Sequence, residues 1–173
     1  MAVLEILKFP DPKLKKKSLP VQKIDDRLRK LVEDLAETMY AAPGVGLAAP
    51  QVGHLLRLAV IDVTPPNQPK NLLVLINPEI VATEGECTWE EGCLSVPEYS
   101  EEIKRREKVV VRCQNLEGET TEITAEGLLS IALQHEIDHL NGILFLDYLS
   151  SLKRALYKRK RKKEKEKKEG KEP

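Results

Sequence analysis

Two histidines four residues apart, His135 and His139, lie in the run Gln134-His135-Glu136-Ile137-Asp138-His139. On a helix this spacing puts both imidazoles on one face, a turn apart, within reach of a single metal ion. Glu136, directly after the first histidine, is placed to carry a proton. Upstream, Cys93 in Glu91-Gly92-Cys93-Leu94-Ser95 offers a thiolate as third ligand. Two imidazoles and one thiolate leave a position open for water, which marks a catalytic site rather than a closed structural one. Because a bound metal lowers the pKa of water from ~15.7 toward ~7, the implied chemistry is hydrolysis of a carbonyl compound.

Such a reaction needs donors for the developing oxyanion. The Gln51 side-chain amide and a backbone N–H beside Cys93 are candidates. Other chemistries stay open on the residues alone. Cys93 could act as a thiol nucleophile with a histidine base, although this needs no histidine pair at i and i+4. A zinc peptidase would take a third His or Glu ligand downstream, where only Asp147 and the glutamates of the tail remain. An RNA-binding protein with a structural metal would need a fourth ligand, and none is obvious. His54, after Gly53, reads as an exposed loop residue.

These groups must be positioned by a scaffold. Asp25 or Asp26 caps a helix whose apolar stripe is Leu28, Leu31, Val32, Leu35 and Met39, running to about Tyr40. The stretch Gly44-Val45-Gly46-Leu47-Ala48-Ala49-Pro50-Gln51 is built of small residues that allow close backbone approach. Strands are expected at Val3–Phe9, Leu55–Val63, Leu72–Ile76 and Pro78–Gly85. A further pair is expected around Val109–Cys113 and Thr120–Thr124. The metal helix should span Ala125 to Leu140 and stop at Asn141-Gly142. Leu128, Ile131 and Ala132 continue its histidine stripe, so the metal lies at one end of an apolar strip that would suit a modest apolar substrate side chain. The fold class is α+β: short, mostly antiparallel strands packed around a central metal-binding helix. The catalytic unit is expected over residues 1–150. Residues 151–173 form a basic extension, helical first and frayed beyond about Lys162, where nothing apolar remains to pack.

Length and composition agree with a globular domain: 173 residues, 41% hydrophobic and 32% charged. No apolar run reaches the ~20 residues that span a bilayer, so no membrane role is expected. The first residues lack the basic and apolar regions of a signal peptide. With three cysteines, of which Cys87 and Cys113 read as ordinary thiols, the expected compartment is the cytoplasm. The formal net charge of zero conceals a division. From Lys153 to Pro173 there are 12 basic and 4 acidic residues, a charge of +8, and the remainder carries −8. Such a tail suits a polyanionic partner, or serves as a solubilising extension.

The motifs together resemble those of the peptide deformylase family. Its Gly-Val/Ile-Gly-Leu-Ala-Ala-x-Gln box is matched by Gly44 to Gln51. Its Glu-Gly-Cys-Leu-Ser box is matched by Glu91 to Ser95, and its Gln-His-Glu-x-Asp-His-Leu-x-Gly box by Gln134 to Gly142. The opening Phe9-Pro10-Asp11-Pro12 is also family-like, and the likeness covers about Val3 to Ser150. The resemblance implies removal of the formyl group from the N-terminal methionine of nascent peptides. It implies one divalent metal on Cys93, His135 and His139, Fe²⁺ by preference, with Zn²⁺, Ni²⁺ or Co²⁺ as substitutes. Glu136 becomes the general acid/base, and the Gln51 amide and Leu94 N–H become the oxyanion donors. Substrate contacts fall on Gly44, Val45, Gly46, Trp89, Gly92, Leu128 and Ile131, with extended peptide pairing along Gly46. Asp138 is expected to pair with Arg105 or Arg106. Some relatives carry a substrate-touching arginine just after the cysteine box, where this chain reads Tyr99-Ser100-Glu101. Some also carry a basic C-terminal helix that docks on the ribosome, and the tail here resembles it.

Overall fold

The computed structural model describes residues 2–171, with side chains of the last helix described through 164. The first helix, α1 (Asp26–Ala41), begins as expected: the Asp25 carboxylate accepts a hydrogen bond from the Leu28 N–H, satisfying a free helix-end donor. Five strands then form one antiparallel sheet: β1 (Gly46–Ala48), β2 (Leu58–Ile61), β3 (Leu73–Glu84), β6 (Lys108–Gln114) and β7 (Thr120–Glu126), in the order β1-β2-β3-β6-β7. Between β3 and β6 the chain makes a separate antiparallel pair, β4 (Cys87–Cys93) with β5 (Val96–Arg105). Helix α2 (Gly127–Leu140) carries the histidines, and α3 (Ser151–Lys171) ends the described chain.

The sheet is covered on both faces where it meets the helices, and strand alternation shows how. In β2, Ala59 and Ile61 join a core with Ala132, Leu133, Ile137 and Leu140 of α2, while Leu58 and Val60 pack with Leu28, Leu35 and Met39 of α1. All four β2 residues are therefore buried, and the strand reads as an unbroken apolar run rather than an alternating one. A buried Leu or Ile stabilises by roughly 1.5–3 kcal/mol relative to exposure, so these two cores fix α2 firmly against the sheet. A third core of Leu14, Val96, Ile103, Leu144, Phe145, Leu146 and Tyr157 lies under the β4–β5 pair.

Several boundaries differ from the expectations. Val3–Phe9 is not a strand. Its Leu7 N–H bonds to the Gln51 carbonyl (2.7 Å) and its Phe9 N–H to the Ser95 carbonyl (2.7 Å), so two different loops share it and no ladder forms. Leu72–Ile76 and Pro78–Gly85 are one strand, β3, with an irregular register between Ile76 and Glu79. Pro78 has no N–H for the ladder, and Asn77 bends the chain at a φ of 51°. The expected Leu55–Val63 strand shortens to β2. Ala125 and Glu126 still pair with β6, so α2 starts later than expected, at Gly127, whose φ of 61° makes the corner. Helix α3 spans Ser151 to Lys171, in keeping with the strong helix propensity of its Lys, Arg and Glu.

Candidate active site

Helix α2 delivers the two histidines from the core side, and the end of β4 delivers Cys93 from the other. The His135 and His139 Nε2 atoms lie 3.2 Å apart, and the Cys93 Sγ lies 3.4 Å from the His139 Nε2. All three donor atoms fall within 4.8 Å of one another. One soft thiolate and two imidazoles in this convergence fit a divalent transition metal. His139 is 1% exposed. Burial and the neighbouring His135 hold its proton affinity well below the ordinary histidine range. Burial also opposes charge on His135, but Cys93 and Glu91 overcome it and raise its proton affinity. A cation held here would require both imidazoles in their neutral form.

Ring orientation is set by groups around the cluster. The His135 Nδ1 lies 2.9 Å from the Glu91 Oε1. Arg105 grips both oxygens of Glu91, at 2.6 and 2.8 Å, and reaches the Asp138 Oδ2 at 2.6 Å through its third nitrogen. The Tyr148 hydroxyl donates to the same Asp138 oxygen at 2.8 Å. Burial would raise the pKa of Glu91, but Arg105 and His135 hold it below the usual carboxylate range. Asp138 therefore pairs with Arg105, one of its two expected partners. The Arg106 backbone is instead tied to Gln134, which accepts from its N–H and donates to its carbonyl. The hold of Glu91 on His135 is absent from the sequence reading. The available signal was its place two residues before Cys93 on a strand, hence on the same face.

The Glu136 carboxylate lies against the glycine stretch. A Cβ added at Gly46 would lie 2.5 Å from the Glu136 Oε2, so only glycine lets the carboxylate sit against β1. Burial pushes this carboxyl up to about 7, with His135 pulling the opposite way, and its Oε1 is buried without a protein partner. A carboxyl poised near neutrality can both take and give a proton. Gln51 is 1% exposed: its Oε1 accepts from the Ala48 N–H (2.9 Å), and its Nε2 donates to the Ser95 Oγ (3.1 Å) and lies 3.6 Å from the Cys93 Sγ. The amide thus presents its N–H side to the cysteine.

A cavity of about 550 Å³ opens above this cluster. Every residue named from the sequence as a substrate contact lines it: Gly44, Val45, Gly46, Trp89, Gly92, Leu128 and Ile131, together with Gln51, Cys93, Leu94, His135 and Glu136. Val45, Trp89 and Leu128 are exposed at its mouth, and Ile131 lies deep. The residues after the cysteine box, Val96 to Tyr99, form a further wall that the sequence reading did not assign to substrate. His54 is exposed and away from the cavity, Cys113 is buried in the sheet core and Cys87 is half-buried.

A metal-dependent hydrolase is the class these features define. The profile of the polypeptide deformylase family matches residues 3–155. A peptide deformylase from Syntrophobacter fumaroxidans is 56% identical over 160 residues, covering 92% of this chain and 94% of its own length. One from Thermodesulfovibrio yellowstonii is 54% identical over 160 residues, covering 92% and 97%. The crystal structure of a Legionella pneumophila peptide deformylase superposes with a TM-score of 0.90 at 48% identity, covering 99% of this chain and 100% of that one. An Ehrlichia chaffeensis peptide deformylase in complex with actinonin gives 0.90 at 43% identity, covering 95% and 98%. The chain belongs to the polypeptide deformylase family and is a metal-dependent hydrolase. Among the described residues no helix is long and apolar enough to cross a membrane.

Proposed function

We propose that the chain removes the N-formyl group from the N-terminal methionine of newly made proteins, consuming water and releasing formate and a free amine. The observation that carries this reading is the convergence of the Cys93 Sγ with the His135 and His139 Nε2 atoms, with Cys93, His135 and Glu136 all lining one cavity beside the edge strand β1. Cys93, His135 and His139 would hold one divalent ion, Fe²⁺ by preference and Zn²⁺, Ni²⁺ or Co²⁺ as substitutes. When bound, the ion supplies Lewis acidity to the formyl carbonyl and makes water nucleophilic near neutral pH.

The remaining work falls to the chain. Glu136 takes the proton from the attacking water and passes it to the departing amine, returning to its starting state. The Gln51 amide and the Leu94 backbone N–H stabilise the oxygen as it gains charge. The substrate lies extended beside β1 as an added strand along Gly44–Gly46. Its methionine side chain enters between Val45, Leu128 and Ile131, with Trp89 and Gly92 on the adjoining wall. Release of formate from a formyl-Met tripeptide, by metal-loaded protein prepared without oxygen, tests the assignment. Glu136→Gln should keep the metal and lose turnover by about 10²-fold or more. A metal-loaded parent that releases no formate would remove the reading.

The compartment we assign is the cytoplasm. The basic C-terminal segment, with 12 basic and 4 acidic residues from Lys153 to Pro173, suits ribosomal RNA phosphates. Replacing Lys165, Lys167, Lys168 and Lys171 by glutamine should weaken ribosome binding at low salt and leave tripeptide turnover unchanged. Unchanged binding would sink the docking role.

A further inference from the structure

Over its described side chains, 151–164, helix α3 is mostly solvent-facing, with Leu152 70% and Leu156 54% exposed, yet Tyr157 is 3% exposed. Its ring lies 4.9 Å from that of Tyr99 and 5.7 Å from that of Phe9, and its hydroxyl donates to the Pro97 carbonyl at 3.0 Å. One turn on, the Arg161 Nε donates to the Phe9 carbonyl at 3.2 Å. At the start of the helix, Lys153 pairs with Glu101 at 3.2 Å, and Glu101 also accepts from the Tyr99 hydroxyl at 3.0 Å. These ties all end on two segments, the first half of β5, with the cavity wall Val96–Tyr99 and Glu101 just beyond it, and the strip Leu7–Phe9.

Both segments bear on the candidate chemistry. Leu7 and Phe9 are bonded to the carbonyls of Gln51 and Ser95, the last residues of the glycine box and of the cysteine box. Lys8, between them, lines the cavity. On the wall, Glu98 stands at a φ of 59°, a conformation that a residue with a Cβ keeps only when its surroundings enforce it. The Pro97 carbonyl held by Tyr157 immediately precedes it. Behind the wall, Tyr99 stacks on Phe145 at 6.1 Å, and Phe145 lies 6.4 Å from the ring of His135.

We infer that α3 is a clasp on the peptide-binding site, with Tyr157 and Arg161 as positioning residues that hold the Val96–Tyr99 wall and the Leu7–Phe9 strip in the shape that receives the substrate chain. Neither residue lines the cavity, so they act through Pro97, Tyr99 and Phe9. The inference rests on the deformylase reading for its substrate, but not for its geometry. A clasp loosened on the peptide side costs binding of the residues beyond the formyl group more than it costs the hydrolytic step.

The test uses the full-length, metal-loaded chain. Tyr157→Phe keeps the ring and removes the bond to Pro97; Arg161→Met removes the bond to Phe9. Each should raise KM for a formyl-Met tripeptide by about 2- to 10-fold, the effect of one lost hydrogen bond, with kcat within a factor of ~2 of the parent. Turnover of formyl-methionine, which has no residues beyond the first, should not change. Leu156→Ala, on the exposed face of the same helix, should change neither constant. Amide hydrogen exchange across residues 96–99 should quicken in Tyr157→Phe and not in Leu156→Ala. Parent-like KM together with parent-like exchange in Tyr157→Phe would overturn the clasp, as would a fall in kcat with KM unmoved. If the parent itself releases no formate, the deformylase reading falls and the exchange rates decide the clasp alone.

Discussion

The Glu91 Oε1 lies 2.9 Å from the His135 Nδ1 while Arg105 holds both oxygens of the same carboxylate. This ties the orientation of a candidate metal ligand to an ion pair whose two side chains are each 4% exposed. Fixing one ring nitrogen by a carboxylate leaves the other nitrogen basic and aimed at the ion. Glu91→Gln should weaken metal affinity by about 10- to 100-fold. Competition with a chelator, followed as metal retained per chain, would read the change. Affinity equal to the parent's would show that the ring is held by packing alone.

Gly46 and Glu136 leave no room between them. Gly46→Ala places a methyl where the carboxylate now sits, and that carboxylate must swing aside. A displacement of about 1 Å in a catalytic group costs on the order of 10²-fold in rate. We expect kcat to fall by roughly that factor, with metal content and thermal unfolding near those of the parent.

Asp62 anchors the loop that follows β2. It accepts from the Tyr40 hydroxyl (2.6 Å), the Thr64 N–H (2.9 Å) and the Asn71 N–H (3.0 Å), and its own N–H donates to the Val45 carbonyl (2.8 Å). Burial acts to raise its pKa, but the hydrogen bonds from Thr64, Tyr40 and Asn71 outweigh it and hold the carboxyl at about 2. The usual value is about 3.9. A folded-state pKa below the unfolded one means stability that is fully present above about pH 4 and is lost as pH falls toward 2. Asp62→Asn should therefore cost about 1–2 kcal/mol at neutral pH. The gap between parent and variant in urea unfolding should narrow as pH falls below about 4. A gap that stayed constant to about pH 3 would assign the loss to packing.

Gly142 ends α2 at a φ of 74°, and a Cβ there would lie 2.5 Å from the Lys15 carbonyl oxygen. Gly142→Ala combines left-handed strain with a backbone clash, at about 2–4 kcal/mol together. For a chain of this size that lowers Tm by roughly 5–15 °C. A calorimetric scan showing no fall would mean that the N-terminal strip moves away freely.

The ligand group of the candidate metal site was legible because helical periodicity is local: the four-residue spacing of His135 and His139 already fixes a face. Gln51 and Leu94 could be named through the family boxes around them. The network of Glu91, Arg105, Asp138 and Tyr148 was legible only in fragments, since it joins a strand, a strand end, a helix and a 3-10 turn far apart in the chain. The α+β class and the α1 boundaries followed from apolar spacing and the Asp25 cap. Val3–Phe9 misled because its alternation satisfies two loops rather than a neighbouring strand. Strand β3 misled because Pro78 reads as a break, and the strand passes it by bending at Asn77. Tyr157 carries no signal in a run of lysines and arginines; its role depends on which wall the helix returns to.

Strand β1 closes the sheet at only three residues, with β2 on one side and the cavity beside it. An edge this short is a poor template for aggregation, and a guest must already be stretched out to lie along it. In the binding mode proposed above, chain ends that have coiled into a helix or tucked into a core would not enter. The geometry sets a race between the guest's own folding and its visit here, and it favours polypeptides caught early, while their first residues still hang free.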